Sequence, residues 1–296
     1  MYKGQINYAI RPVVPSGPYQ RHIQSAMPIF LERQQLYEVP VASYNRDDLA
    51  KFTHPLVTML PHEIISEGFA SDPSLRVRLD EMVLAQELPA SFYSNPVVER
   101  STRDGGLPVV PISIFVDAVP YSLTGSVIGC WFINEITGSR SLIVALRKSV
   151  VCICGCRGWC TFRAIWAWLW WSLSALAEGK YPSSRHDYEP FGPGVHRAEL
   201  GGTAMSCRAA LLYLKGDWAE YSSTVGMPSW QDGLRPCFVC NADRGNFYTT
   251  EGISAVTSPW RENGDDDYFQ ACDRCERHVV IDARIHLVIC GLLHYD

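Results

Sequence analysis

The sequence predicts an α/β fold: a mixed sheet with an N-terminal helical segment and a C-terminal cysteine-rich insertion bearing a zinc knuckle. Three observations predict it. Apolar runs rich in Val and Ile stand close together at 109–116, 127–133 and 141–146, the composition of neighbouring buried strands. A strongly apolar helical stretch at 161–178 follows, and 209–214 returns to strand character. Finally, Cys237-Phe238-Val239-Cys240 and Cys272-Asp273-Arg274-Cys275 share a CxxC spacing that suits a metal.

Composition limits the class. The chain has 296 residues, enough for one large domain or two ordinary ones. With 47% hydrophobic and 19% charged residues it reads as globular. A formal net charge of −5 argues against a generally basic, nucleic-acid-coating protein, while a local basic face stays compatible with it. The start, MYKGQINYAIRPVV, lacks the charged-apolar-small pattern of a leader peptide. We therefore expect a nuclear or intracellular, reducing location, where CxxC pairs among eleven cysteines favour zinc over disulfides. The apolar stretch 166–177 is too short to span a bilayer, so no membrane partner is expected.

In chain order, 1–45 carries Pro12, Pro15, Pro18, Pro28 and Pro40 with little periodicity and reads as an extended arm. Residues 47–69 and 73–88 read as helices, the first interrupted at Pro55 and Pro61. Ser71 or Asp72 suits the cap of the second, with Pro73 in its first turn. Residues 92–106, with Asn95-Pro96 and Asp104-Gly105-Gly106, read as a polar linker. Within the strand block, 134–138 is a short Gly-containing hairpin connection. The helix 161–178 closes at Gly179, a residue suited to the position after a helix end. A polar loop spans 181–193, and 196–207 reads as a short helix. The expected organisation is an N-terminal arm and helices at 1–105, a core at 106–235, and a zinc-binding insertion at 236–296.

The first strand ends on Asp117 and the fourth runs into Asp217. An acid at the end of a buried strand is costly unless solvated, paired or bound to metal. The order is strand with terminal acid, two strands, helix, strand with terminal acid. That is the layout of a ribonuclease-H-like nuclease core, whose two inner acids lie side by side. Divalent cations held between such carboxylates relieve their repulsion and promote phosphodiester chemistry, and Mg²⁺ or Mn²⁺ suits carboxylate oxygens. Asp117 and Asp217 are therefore the candidate catalytic and metal-holding pair. The plain alternative is an acid that ends a strand, with Asp217 capping a helix from Trp218.

A resemblance points the same way. Val110-Pro111-Ile112-Ser113-Ile114-Phe115-Val116-Asp117 resembles the first catalytic-strand motif of DDE-type cut-and-paste transposases of the CACTA-like and related groups. Gly216-Asp217-Trp218-Ala219-Glu220, with Cys237-Phe238-Val239-Cys240 after 16 residues, resembles their second motif. The resemblance covers roughly 105–245. It implies a ribonuclease-H-like core acting on DNA, with Asp117 and Asp217 as the first two acids of a triad. Ala219 stands where those families often have Pro. No third acid is identifiable before Asp296, so a fragment or decayed copy without activity is an expectation too.

The cysteines offer two further metal sites. Cys237 and Cys240 with Cys272 and either Cys275 or His278 could supply four ligands to one structural Zn²⁺. Cys152, Cys154, Cys156 and Cys160 form a tighter run; if it were a strand, alternate cysteines would face one side, completed by a ligand from elsewhere. Separate reduced cysteines are the alternative for both. Cys130, Cys207 and Cys290 sit in apolar surroundings and read as core. His186-Asp187 reads as a solvated loop, and Trp166, Trp168, Trp170 and Trp171 as core or an interface with the N-terminal helices. Arg140, Arg147, Lys148, Arg157 and Arg163 are candidates for a phosphate-contacting patch.

The expected function is thus transposase-derived DNA strand cleavage and transfer, with DNA as partner and a homo-oligomer as a possibility. The alternative is a zinc-stabilised module that binds DNA or protein without chemistry.

Overall fold

The computed structural model describes residues 36–45, 49–120, 125–156 and 158–225, and singly 231, 240, 243 and 245. Its centre is a six-stranded mixed sheet. The strands are β1 (Tyr37–Tyr44), β2 (Lys51–Thr58), β3 (Val109–Pro120), β4 (Ser126–Asn134), β5 (Ser139–Arg147) and β6 (Arg208–Lys215). Their order across the sheet is β1-β2-β5-β4-β3-β6. β3, β4 and β5 form an antiparallel meander. β6 returns parallel to β3, which requires a crossover. That crossover is helix α5 (Trp159–Glu178).

The predicted strand block stands: β3 is buried on both faces through Ile114, and past that point one face alone stays tightly buried. On β3, Val110, Ile112, Ile114 and Val116 are all at most 2% exposed. Their partners on β4 continue that face through Cys130 and Phe132. The other face carries Phe115 and Asp117, both half-buried. The expected hairpin connection is present: the Gly138 N–H donates to the Asn134 carbonyl at 2.8 Å, with Gly138 at φ +66°.

α5 packs against β1, β6 and helix α1 (Pro61–Ser71). Its 20 residues span about 30 Å, enough to cross six strands spaced about 4.8 Å apart. Trp166 and Trp168 are buried in the core, whereas Trp170 is exposed and Trp171 stacks on Tyr37 with centroids 5.5 Å apart. The helix ends as expected at Gly179, φ +70°, whose N–H donates to the Ala175 carbonyl. Among the described residues no helix is long and apolar enough to cross a membrane.

Four expectations need correction. The interrupted helix at 47–69 is strand β2 followed by α1. Prolines that would break a helix sit opposite one another in the β1–β2 hairpin, Pro40 against Pro55, while Pro61 starts α1. The arm at 1–45 likewise contains β1, whose alternating burial leaves Val39 and Val41 fully buried. The linker at 92–106 contains α3 (Ala90–Tyr93) in part and α4 (Pro96–Arg103). Asn95-Pro96, read as a turn, is instead an N-cap and first helical residue: Asn95 Oδ1 accepts from the Val97 N–H at 3.0 Å. Helix α6 is only His196–Leu200, after which Gly202 at φ +77° turns the chain away.

The second predicted helix does form, as α2 (Ser74–Leu84), with Asp72 Oδ1 accepting the Ser74 N–H at 3.0 Å. Cys130 and Cys207 are buried as expected, and burial pushes both thiols up to about 12. Cys290 lies outside the described residues.

Candidate functional site

Two clusters carry chemistry. The first lies where the parallel β3–β6 ladder ends. The parallel ladder's last pair is Phe115 with Lys215. Two residues further along stand Asp117 and Asp217. Asp117 thus lies inside β3, which continues to Pro120 in its pairing with β4 instead of ending on the acid as expected, and Asp217 lies two residues past the end of β6. Gly216 permits the close approach: a Cβ there would lie 3.0 Å from the Val116 carbonyl oxygen.

The two acids differ in surroundings. Asp117 is half-buried and pairs across the ladder with Gly129. Asp217 is exposed, and its Oδ1 accepts the Glu220 N–H at 2.7 Å. It thus caps the short helix α7 (Trp218–Glu220), as its plainer reading anticipated. Glu220 is itself buried, with Oε2 accepting the Thr224 hydroxyl at 2.7 Å. Among the described residues no third His, Cys, Asp or Glu joins Asp117 and Asp217 in a metal-holding group.

The half-buried sheet face beside Asp117 is aromatic and charged. Phe115 and Trp131 have ring centroids 5.6 Å apart, and the Arg140 guanidinium lies 5.7 Å over Phe115. Lys215 pairs with Glu135 at 2.6 Å, and Ser113 also donates to that carboxylate. Arg147, Lys148 and Arg163 are exposed, and Arg157 lies outside the described residues.

The second cluster is Cys152, Cys154, Cys156 and Cys160, whose sulfur atoms all lie within 4.8 Å of one another. The expected strand is absent here. β5 ends in a 3₁₀ turn (Lys148–Val150), and the loop then folds on itself before α5. Two glycines at positive φ make that fold possible, Gly155 at +96° and Gly158 at +89°. The Gly158 N–H donates to the Cys152 carbonyl at 3.1 Å, and the Trp159 N–H to the Cys156 carbonyl at 3.0 Å. Cys160, in the first turn of α5, supplies the fourth sulfur, so no ligand from elsewhere is required. Four cysteines so arranged could hold a metal ion.

Lys51, at the start of β2, reaches this cluster, with Nζ 3.6 Å from Cys160 Sγ. Its ammonium draws the Cys154 thiol down to about 6, while burial pushes Cys152 up. Sequence reasoning missed Lys51 because it lay in a stretch read as helix. Thr161 was missed too: its hydroxyl accepts the Cys152 N–H at 2.8 Å and donates to the Ala42 carbonyl at 2.5 Å. Nothing in the local pattern singled it out.

Of the distal knuckle, Cys240 is buried; Cys237, Cys272, Cys275 and His278 lie outside the described residues. His186 is no solvated loop residue. It is half-buried against Tyr37, whose hydroxyl accepts the His186 backbone N–H at 3.2 Å and lies 2.6 Å from Nδ1.

No family profile, curated protein or solved structure matches this chain.

Proposed function

We propose that the chain is a transposase-derived core that cleaves and transfers DNA strands by two-metal-ion phosphodiester chemistry. One observation carries the reading: Asp117 and Asp217 each stand two residues beyond the last pair, Phe115 with Lys215, of the parallel β3–β6 ladder. The sheet order supports it, since an antiparallel meander with a fourth strand returning parallel beside the first is the ribonuclease-H-like arrangement. The donor set fits Mg²⁺ or Mn²⁺, because both acids offer hard carboxylate oxygens. Such ions, held by Asp117 and Asp217, would supply activated water and stabilise the leaving oxygen.

The chain's own part is positioning. Asp117 is fixed by its ladder pairing with Gly129. Asp217 is oriented by its cap, which engages one carboxylate oxygen and directs the other away from that bond. The cysteine cluster takes Zn²⁺ as a structural metal in this reading, since thiolates select it over Mg²⁺. DNA is the substrate, and the location is nuclear or intracellular.

The second reading is a zinc-stabilised module that binds DNA or protein without chemistry. The engaged Asp217 carboxylate and the missing third acid among the described residues favour it. A Mn²⁺ titration of wild type and Asp117→Asn, run with a plasmid-nicking assay, separates the two. The enzyme reading expects weaker Mn²⁺ binding in the variant, with melting temperature unchanged or raised as like-charge repulsion falls. Equal affinity in the two proteins removes Asp117 from any metal site and leaves the binding module.

A further inference from the structure

We propose that Cys152, Cys154, Cys156 and Cys160 form a self-contained tetrahedral zinc site that clasps the β1–β2 hairpin to the sheet, with Lys51 balancing its charge. This rests on the zinc assignment above and not on the strand-transfer chemistry.

The distances suit the metal. Zinc–sulfur bonds of about 2.3 Å at tetrahedral angles place the sulfurs about 3.8 Å apart. Cys154 and Cys160 sulfurs are 3.9 Å apart, and all four lie within 4.8 Å. A disulfide would need about 2.05 Å. The backbone is already shaped to present the sulfurs: a Cβ on Gly158 would fall 2.9 Å from Val151 Cγ1 and 3.0 Å from the Phe162 ring. Zinc with four thiolates carries a net charge of about −2. Lys51 supplies a cation 3.6 Å from one of those sulfurs.

The placement gives the site its task. β2 meets β5 at a single ladder pair, Thr58 with Val144, extended by the Met59 N–H donating to the Ile143 carbonyl at 3.0 Å. That joins one end of the hairpin to the sheet. The other end, where Tyr44 pairs with Lys51, is held by the cysteine loop. The Ser43 hydroxyl donates to the Val150 carbonyl at 2.6 Å, just before the first cysteine. Thr161, just after the last, bridges Cys152 to Ala42. The eight loop residues at 151–158 include two positive-φ glycines and are held mainly by the Gly158 and Trp159 hydrogen bonds, so their order gains from a cross-link. A bound ion supplies one, and through Ser43, Thr161 and Lys51 it fixes the hairpin as well.

The test uses the full chain. Zinc content by mass spectrometry and amide hydrogen exchange are measured for wild type, Cys154→Ser, Lys51→Ala and the double variant Cys237→Ser/Cys240→Ser. The double variant should keep one chelator-resistant zinc. Cys154→Ser should lose that zinc, and exchange should rise in 37–58 more than in 109–134. Lys51→Ala replaces an exposed side chain, so it should fold and keep its zinc, yet surrender it to chelator about tenfold more readily. Loss of all zinc in the double variant, iron in place of zinc, or unchanged exchange at 37–58 in Cys154→Ser would overturn the proposal. Mn²⁺ binding through Asp117 should be the same in Lys51→Ala and wild type, so failure here and failure of the strand-transfer reading give different results.

Discussion

Asp117 faces Gly129 across the β3–β4 ladder, and the indole of Trp131 lies over that glycine. A Cβ at 129 would fall 2.1 Å from the ring. Gly129 therefore lets Trp131 lie along the strand, against Phe115 and beside the Asp117 position. Gly129→Val should force the ring off its seat, at a cost of about 1–3 kcal/mol. Near-UV circular dichroism should change with it. In a Trp131→Ala background the same substitution should be neutral or stabilising, because the clash is gone. An equal cost in both backgrounds would mean the glycine answers to something other than the indole.

Asp217 caps α7 and, in the strand-transfer reading, also offers a carboxylate to a metal shared with Asp117. Asparagine caps nearly as well as aspartate but carries no charge. Asp217→Asn should leave thermal stability nearly unchanged while weakening Mn²⁺ binding. Asp217→Ala should lose both, with about 1 kcal/mol of stability gone. If Mn²⁺ affinity survives in Asp217→Asn, the residue is a cap and nothing more.

The meander, the crossover helix and the fourth strand were legible because their signals are local. Val-Ile runs such as 109–116 bound by turn residues have one stable outcome, and a stretch ending at Gly179 has a clear stop. The outer hairpin was illegible because its prolines carry opposite meanings in isolation and in a pair. Pro40 and Pro55 each argue against regular structure, yet they sit opposite one another in a two-stranded ribbon whose alternation is clear only once both strands are aligned. The tight cysteine run was visible as a candidate; its being complete in itself was not. That depends on Gly155 and Gly158 taking positive φ, which composition permits but does not dictate. The neighbouring of β3 and β6, which puts Asp117 and Asp217 past one ladder, was inferred from strand order, and it required β6 to land beside β3 rather than at another edge.

Arg197 and Glu63 form a two-bond ion pair at 2.5 and 2.9 Å, joining helix α6 to α1. Their side chains are only 11% and 20% exposed, and the guanidinium also lies 5.5 Å over the Tyr37 ring. Removing one partner leaves the other charge poorly solvated. Arg197→Ala should therefore cost about 3 kcal/mol. The pair Arg76–Asp80 is a control with side chains 53% and 61% exposed, and Arg76→Ala should cost less than about 0.5 kcal/mol. Chemical denaturation of the two variants measures both. Similar losses would show that burial is not what gives the Arg197 pair its strength.

His62 makes stability depend on pH in a window above the carboxylates. Its ring is buried, and burial, followed by the nearby Arg197 charge, holds it down to about 3. The Ser172 hydroxyl accepts the His62 backbone N–H at 3.2 Å and so is left to donate to Nδ1, 2.8 Å away, a pairing that suits the neutral ring. Above about pH 6.5 the ring is neutral in both folded and unfolded chains, and its contribution is constant. Below that, the unfolded chain takes up a proton that the folded chain refuses, so stability falls as pH falls. The slope approaches about 1.4 kcal/mol per pH unit, or about 2 kcal/mol between pH 7 and pH 5. His186, half-buried and also shifted downward by burial, adds in the same direction. His62→Asn keeps a polar side chain that does not titrate, so its denaturation free energy should vary much less over the same interval. Parallel pH profiles for wild type and His62→Asn would exclude His62 as the source of the acid sensitivity.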